Sequence, residues 1–249
     1  MKLGLKSKWT KEQLEKRIEL NPYLIEIFVA NTDLETQLPQ INDNLKYLTE
    51  NFPDIKLSIH QPEKYKNQFL NLATKDGDTL TNTLECLSIL NDLSIKYGMI
   101  GFVTHPYWSE DSSYKNINDL ITNLNKLPDL KNNLLLENEL DGCFSTPDNI
   151  ETVLSKTGYK FVLDVCHLRI ASYNELTFRT NFELCKKHAY YFHLSDTDGV
   201  NDNALGLGKG VVNWKSIKKD VDVGLIEVDD RDYANIPNAI NSYNYFTNL

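Results

Sequence analysis

Asn133-Leu-Leu-Leu-Glu137-Asn138 is an apolar run closed by a carboxylate, and its reading decides the fold. Its length and its leucines suit a strand buried in a parallel sheet. Residues i and i+2 of a strand share a face. With Leu135 and Glu137 turned inward, Leu134 and Leu136 point at covering helices. A carboxylate inside such a run is costly unless it is paired or bound to metal. Glu137 therefore needs partners arriving from neighbouring strands.

Outward from this run the same unit recurs. Strands are predicted at 2–6, 23–29, 55–60, 99–105, 133–138, 160–166, 190–194 and 223–228. Between and after them lie helical patterns at 11–20 behind Thr10, from Thr32 or Asp33 to about 51 before Pro53, and at 78–97. The last of these carries Leu84, Leu87, Leu90 and Leu93 at spacing three, with Gly98 as its stop. Further helices are predicted at 116–126, 146–156, 175–188, 214–219 and 233–246. Regular alternation of strand and helix argues for a parallel sheet, since each crossover must carry a helix. Eight repeats in 249 residues predict one α/β domain over 1–249, a closed (β/α)8 TIM barrel. An open doubly wound sheet is the alternative.

Composition agrees with an ordinary globular chain, 41% apolar and 24% charged. No run of about 18 apolar residues occurs, so neither a membrane span nor a membrane partner is expected. The early lysines lack an apolar segment behind them, which argues against a secretory signal. The four cysteines (Cys86, Cys143, Cys166, Cys185) form no CxxC pair, so a reducing cytoplasm is the expected location. A formal charge of −9 disfavours a broad basic surface for nucleic acid, although bound metal ions can supply positive charge locally.

The ligand-type residues fall in a pattern. His60, His105, His167 and His193, four of the five histidines, lie at or just past the C-terminal end of a predicted strand. Such ends make up roughly a sixth of a barrel chain, and active sites of these barrels sit there. His188 instead follows Lys186 and Lys187 at a helix end, where a cation suits the dipole. Asp164 within its strand, Glu227 on the last strand and Asp202 in the loop after the seventh add carboxylates. Alone, a strand-end histidine is ordinarily a structural hydrogen-bonding residue, and a strand glutamate half of an internal ion pair. Here strands three to eight each place a histidine or carboxylate at an inner rim position, converging on one point. A divalent metal centre is the expected result. Imidazoles suit zinc, and the carboxylate-rich part also accepts manganese, cobalt or magnesium. Zinc or manganese is expected, as two ions.

The chain resembles the xylose isomerase-like barrel superfamily, which includes sugar isomerases and epimerases and the endonuclease IV-like enzymes (AP endonuclease family 2). The resemblance rests on seven motifs in order: Ile59-His60-Gln-Pro62 with Asn71-Leu-Ala73, Thr104-His105-Pro106, Leu135-Leu-Glu137-Asn138, Asp164-Val-Cys-His167, His193-Leu-Ser-Asp196, Leu207-Gly-Lys-Gly210 and Ile226-Glu227. It implies a shared metal core of Glu137, Asp164, His193 and Glu227. It implies a further zinc at His60 and His105, and two of three ligands of a third at His167 and Asp202. The expected third histidine is replaced by Ala204, and zinc held by two protein ligands is weak.

Two enzyme classes follow, with a metal-binding barrel without catalysis as a third reading. A sugar or sugar-phosphate isomerase or epimerase would use Glu137 and Glu227 as base and acid. His167 and Arg169 would bind substrate oxygens, and Tyr107 and Trp108 would wall the sugar. Lys209, in the glycine-rich Gly206–Gly210 loop, would meet phosphate at a helix start, although that loop is equally readable as a plain turn. A phosphodiesterase acting on abasic DNA would use the metals for in-line displacement. Ala204, the brief loop from His193 to Asp202 and the scarcity of arginine near strand ends argue against it.

Overall fold

The computed structural model describes residues 1–107, 116–228 and 236–249. Its strands are β1 (Lys2–Lys8), β2 (Leu24–Phe28), β3 (Lys56–His60), β4 (Lys64–Tyr65), β5 (Gln68–Phe69), β6 (Phe102–Thr104), β7 (Leu134–Glu137), β8 (Lys160–Asp164), β9 (Ala189–Leu194) and β10 (Val223–Ile226). Eight of them close into a barrel in the order β1-β10-β9-β8-β7-β6-β3-β2, which rules out the open sheet. Each neighbouring pair of the barrel runs parallel. β4 and β5 form an antiparallel hairpin beyond β3 that the sequence reading missed. Lys66 and Asn67 both adopt positive φ at its turn, a conformation that lysine does not advertise.

The helices are α1 (Lys11–Ile18), α2 (Asp33–Thr36), α3 (Leu38–Asn51), α4 (Gly77–Lys96), α5 (Ile117–Leu124), α6 (Pro147–Thr157), α7 (Val165–Ala171), α8 (Glu175–Cys185), α9 (Trp214–Ile217) and α10 (Pro237–Asn248). The helix expected up to residue 51 is broken at Gln37, because Pro39 in the first turn of α3 lacks an amide hydrogen to continue the ladder. The strand expected over 160–166 stops at Asp164, whose carboxylate accepts the His167 amide and caps α7. Cys166 is thus helical. The start expected for the last helix, residue 233, lies outside the described residues, and α10 runs from Pro237. Among the described residues no helix is long and apolar enough to cross a membrane.

Two apolar layers hold the barrel. Leu134, Leu136, Phe161 and Leu163 face outward into the large core between strands and helices. Leu24, Val103, Leu135, Val162, Tyr191 and Leu225 form a second cluster. These six alternate with the outward residues, so they plug the barrel interior beneath the rim. Gly101 approaches this layer with φ +151°, and a β-carbon there would lie 2.5 Å from the Asn133 carbonyl oxygen. Gly101→Ala is therefore expected to lower stability by about 2–5 kcal/mol through backbone strain plus overpacking. Urea unfolding at unchanged m-value would measure it, and a loss under about 1 kcal/mol would contradict the close approach.

Candidate metal centre

Alternation carries one polar residue from each of several strands to the inner rim. His60 ends β3, Glu137 ends β7, Asp164 ends β8 and His193 lies one residue before the end of β9, while His105 and Glu227 stand one residue beyond β6 and β10. All but Glu227 are buried. Ligand atoms of His60, His105 and Glu137 lie within 4.8 Å of one another, as do those of Glu137, Asp164, His193 and Glu227. Glu137 belongs to both sets through different oxygens. Its Oε2 is 3.1 Å from His60 Nε2 and 3.5 Å from His105 Nε2, and its Oε1 is 3.1 Å from His193 Nδ1.

The imidazoles are oriented from behind. His60 Nδ1 lies 2.9 Å from the Gln61 carbonyl and His167 Nδ1 lies 2.7 Å from the Asn138 carbonyl. A carbonyl only accepts, so both nitrogens carry hydrogen and Nε2 of the neutral ring holds the lone pair. His105 Nδ1 is backed by Glu139 at 3.1 Å, and His193 Nε2 by Glu26 at 3.2 Å. The nitrogens left over face carboxylates: Asp202 at 3.3 Å from His167, and Glu227 Oε2 at 2.8 Å from His193. A lone pair aimed at a carboxylate is tolerable only with a cation between them, proton or metal. Backing of this kind is what fixes metal-binding histidines.

Charge balance points the same way. Burial pulls His105, His167 and His193 down, but the surrounding carboxylates outweigh it and raise all three. Burial and the Lys6 charge leave His60 lowered. Burial pushes the Asp164 carboxyl up to about 7, with Glu137 and Glu227 adding to the rise. Glu137 and Glu227 are raised by burial and lowered further by cations, Glu137 by His193 and His105, Glu227 by Lys6 and His193. Oε2 of Glu227 is buried and makes no hydrogen bond despite its nearness to His193. An orphaned acceptor, inward carboxylates and imidazole lone pairs together fit a divalent cation in both sets.

The remaining expected residues divide. His167 and Asp202 do meet, but only as a pair. Ala204, at φ +42°, lines the cleft beside them without a donor. Trp108 lies outside the described residues. Tyr107 is no wall: it is buried in the core, and its hydroxyl donates to the Asp141 carbonyl. Arg169 is buried with Nε and Nη1 unpartnered, and its Nη2 approaches Gly199. It stands two residues beyond His167 on α7, roughly 200° round the helix, so the two do not share a face. Lys209 is exposed and not part of the cleft lining. The loop around it offers no free phosphate cradle. Asp196 takes the amides of Gly208 and Val212, each at 3.0 Å, and the next helix, α9, is a single turn.

Sequence reasoning missed Lys6, Glu26 and Glu139. Lys6 pairs with Glu227, and its ammonium is 3.7 Å from Glu26 Oε1. Glu26 carried the same signal as Glu137, a carboxylate among apolar strand residues, but one level below the rim. Glu139 is two residues past Glu137 in a loop, where an acidic residue draws no notice.

A family model described as xylose isomerase-like TIM barrel matches residues 22–224. The chain belongs to this family. Among solved structures it is similar to a D-tagatose 3-epimerase-like protein, with 20% identity and a TM-score of 0.78 over 100% of this chain and 96% of that one. It is also similar to the TTHB071 protein from Thermus thermophilus, soaked with ZnCl2, with 21% identity, a TM-score of 0.73 and coverage of 100% and 97%. Endonuclease IV from Thermus thermophilus aligns at 16% identity with a TM-score of 0.71, covering 100% and 98%. No curated protein sequence matches the chain.

Proposed function

We propose that this chain is a divalent-cation-dependent sugar isomerase or epimerase that moves a proton with Glu137 and Glu227. The observation that carries the reading is the cleft above Glu227. It encloses about 640 Å³, with Lys6, Ser7, Phe28 and Glu63 among its lining residues. That volume lies in the range of sites that enclose small molecules. The Glu227 side chain is 26% exposed and that of Glu137 only 1%, so Glu227 meets the substrate first. Lys6 holds Glu227 ionised, as a base requires. Glu137, across His193, is the group proposed to return the proton, and His167 to bind a substrate oxygen. A cation held by Glu137, Asp164, His193 and Glu227 supplies Lewis-acid polarisation of carbonyl and hydroxyl oxygens. Three carboxylates and one imidazole suit manganese, cobalt or magnesium there, while His60, His105 and Glu137 suit zinc. Likeness to a D-tagatose 3-epimerase-like protein supports the reading at the level of the fold.

Arg169 and Lys209 have no part in this reading. Because Asp196 occupies the 206–210 loop, an unphosphorylated sugar is preferred over a sugar phosphate.

The second reading, a zinc phosphodiesterase for abasic DNA, draws on the His60–His105–Glu137 set and on the likeness to endonuclease IV. Against it, the His167–Asp202 pair gains no third ligand at Ala204. The cleft lining also sets Glu63, Asp202 and Glu227 against Lys6, Lys8 and Arg17, so it presents no excess of positive charge to a phosphate backbone.

A ketose and ketose-phosphate panel in deuterium oxide, with manganese or zinc, tests the choice. Deuterium entering the carbon next to the carbonyl is expected, with no incision of an abasic-site duplex. Incision that disappears in Glu137→Ala, without any exchange into sugar, would overturn the proposal.

A further inference from the structure

We propose that Glu26 is a positioning residue of this centre, fixing the ring of His193 so that Nδ1 rather than Nε2 faces Glu137, Asp164 and Glu227. The inference rests on the metal reading of the rim and extends it to a residue that would touch neither ion nor substrate.

The placement follows from strand register. Lys6 on β1 pairs with Glu26 on β2, which in turn pairs with Ser58 on β3. Three adjacent strands thus bring an ammonium, a carboxylate and a hydroxyl side by side inside the barrel. Tyr191, two residues before His193 on β9, shares the inward face with it. Glu26 is completely buried. Its Oε2 accepts hydrogen bonds from the Tyr191 hydroxyl at 2.5 Å and the Ser58 hydroxyl at 3.1 Å, and lies 3.2 Å from His193 Nε2. Its Oε1 makes no hydrogen bond, and the Lys6 ammonium stands 3.7 Å away.

Two hydroxyl donors, Tyr191 and Ser58, and the nearby Lys6 ammonium all address this carboxylate, so it meets the His193 ring as an acceptor. The nitrogen that faces it, Nε2, therefore carries the hydrogen. His193 is left with its lone pair on Nδ1. That atom is 3.1 Å from Glu137, 2.8 Å from Glu227 and 4.0 Å from Asp164. The hydroxyls of Tyr191 and Ser58 prevent the carboxylate from turning away. A flipped ring would aim the Cδ2–H at the rim and the other tautomer an N–H, and either would remove the nitrogen ligand from the four-residue set. Glu26 hydrogen-bonds neither His60 nor Glu137, so the His60–His105–Glu137 set should keep its ion when Glu26 is lost.

The test compares the full-length chain with Glu26→Gln and Glu26→Leu, titrated with zinc and manganese against a chromogenic chelator. Wild type is expected to take up two ions. Each variant should bind one of them about 10- to 100-fold more weakly and leave the other unchanged. Unchanged affinity at both sets overturns the role, as does an equal loss at both, which would mean general loosening. If neither variant folds, ring nitrogen NMR of the metal-loaded wild type decides, with His193→Gln to assign the signals. A hydrogen on Nε2 of His193 supports the proposal, and one on Nδ1 overturns it. A wild-type chain that takes up no divalent ion overturns the metal reading and this proposal together. Wild-type loading with unaffected variants overturns the role of Glu26 alone.

Discussion

Glu137→Ala is expected to strip the chain of the ion at His60 and His105, to weaken the hold on the other and to cut turnover by about 10²–10⁴-fold. The reason is that both ligand sets share this one side chain. Glu137 lends one oxygen to His60 and His105 and the other to the side of His193. Its removal leaves the first set with two imidazoles and the second with Asp164, His193 and Glu227. His60→Ala removes a ligand from the first set only, so that variant should retain the second ion and part of its turnover. Elemental analysis after purification, alongside the sugar exchange assay, measures both. Equal metal content in Glu137→Ala and wild type would sink the two-set arrangement.

Asp196→Ala should give the largest loss of stability. Asp196 is fully buried and accepts from the amides of Thr197, Gly208 and Val212 and from the Trp214 indole. Alanine leaves these donors without their charged acceptor, and each unsatisfied buried group costs about 1–3 kcal/mol. A total of about 3–5 kcal/mol is expected, lowering the thermal midpoint by about 10 °C. The loop after β9 carries Asp202 and Ala204, so the His167–Asp202 contact should loosen as well. Asp196→Asn, which keeps one acceptor oxygen, should recover part of the loss. A midpoint within about 2 °C of wild type would show that the loop is held by other means.

The barrel was legible because period-two alternation and strand–helix repetition are local properties. Leu134 and Leu136 outward, Leu135 and Glu137 inward, could be read from four letters, and the structure keeps that division. The meeting of His60, His105, Glu137, Asp164, His193 and Glu227 followed from geometry, since neighbouring strand ends of a barrel must converge. What escaped was decided by contacts between distant segments. Gly206–Gly210 looked like a phosphate loop because nothing nearby in sequence shows that Asp196 already fills it. Arg169 was expected to bind substrate oxygens alongside His167, but α7 begins at Val165 and turns the two apart. Lys6 and Glu26 escaped because neither is a histidine and Glu26 lies inside its strand, while their pairing depends on the register of β1 against β2.

The six side chains that plug the barrel beneath the rim have a kinetic consequence. Among the described residues they close the floor, so under the proposed function an ion, a reactant and a product would all pass on the rim side. Traffic there would be sequential. A seated reactant would bar the exit of an ion lying deeper, and ion exchange would fall between turnovers.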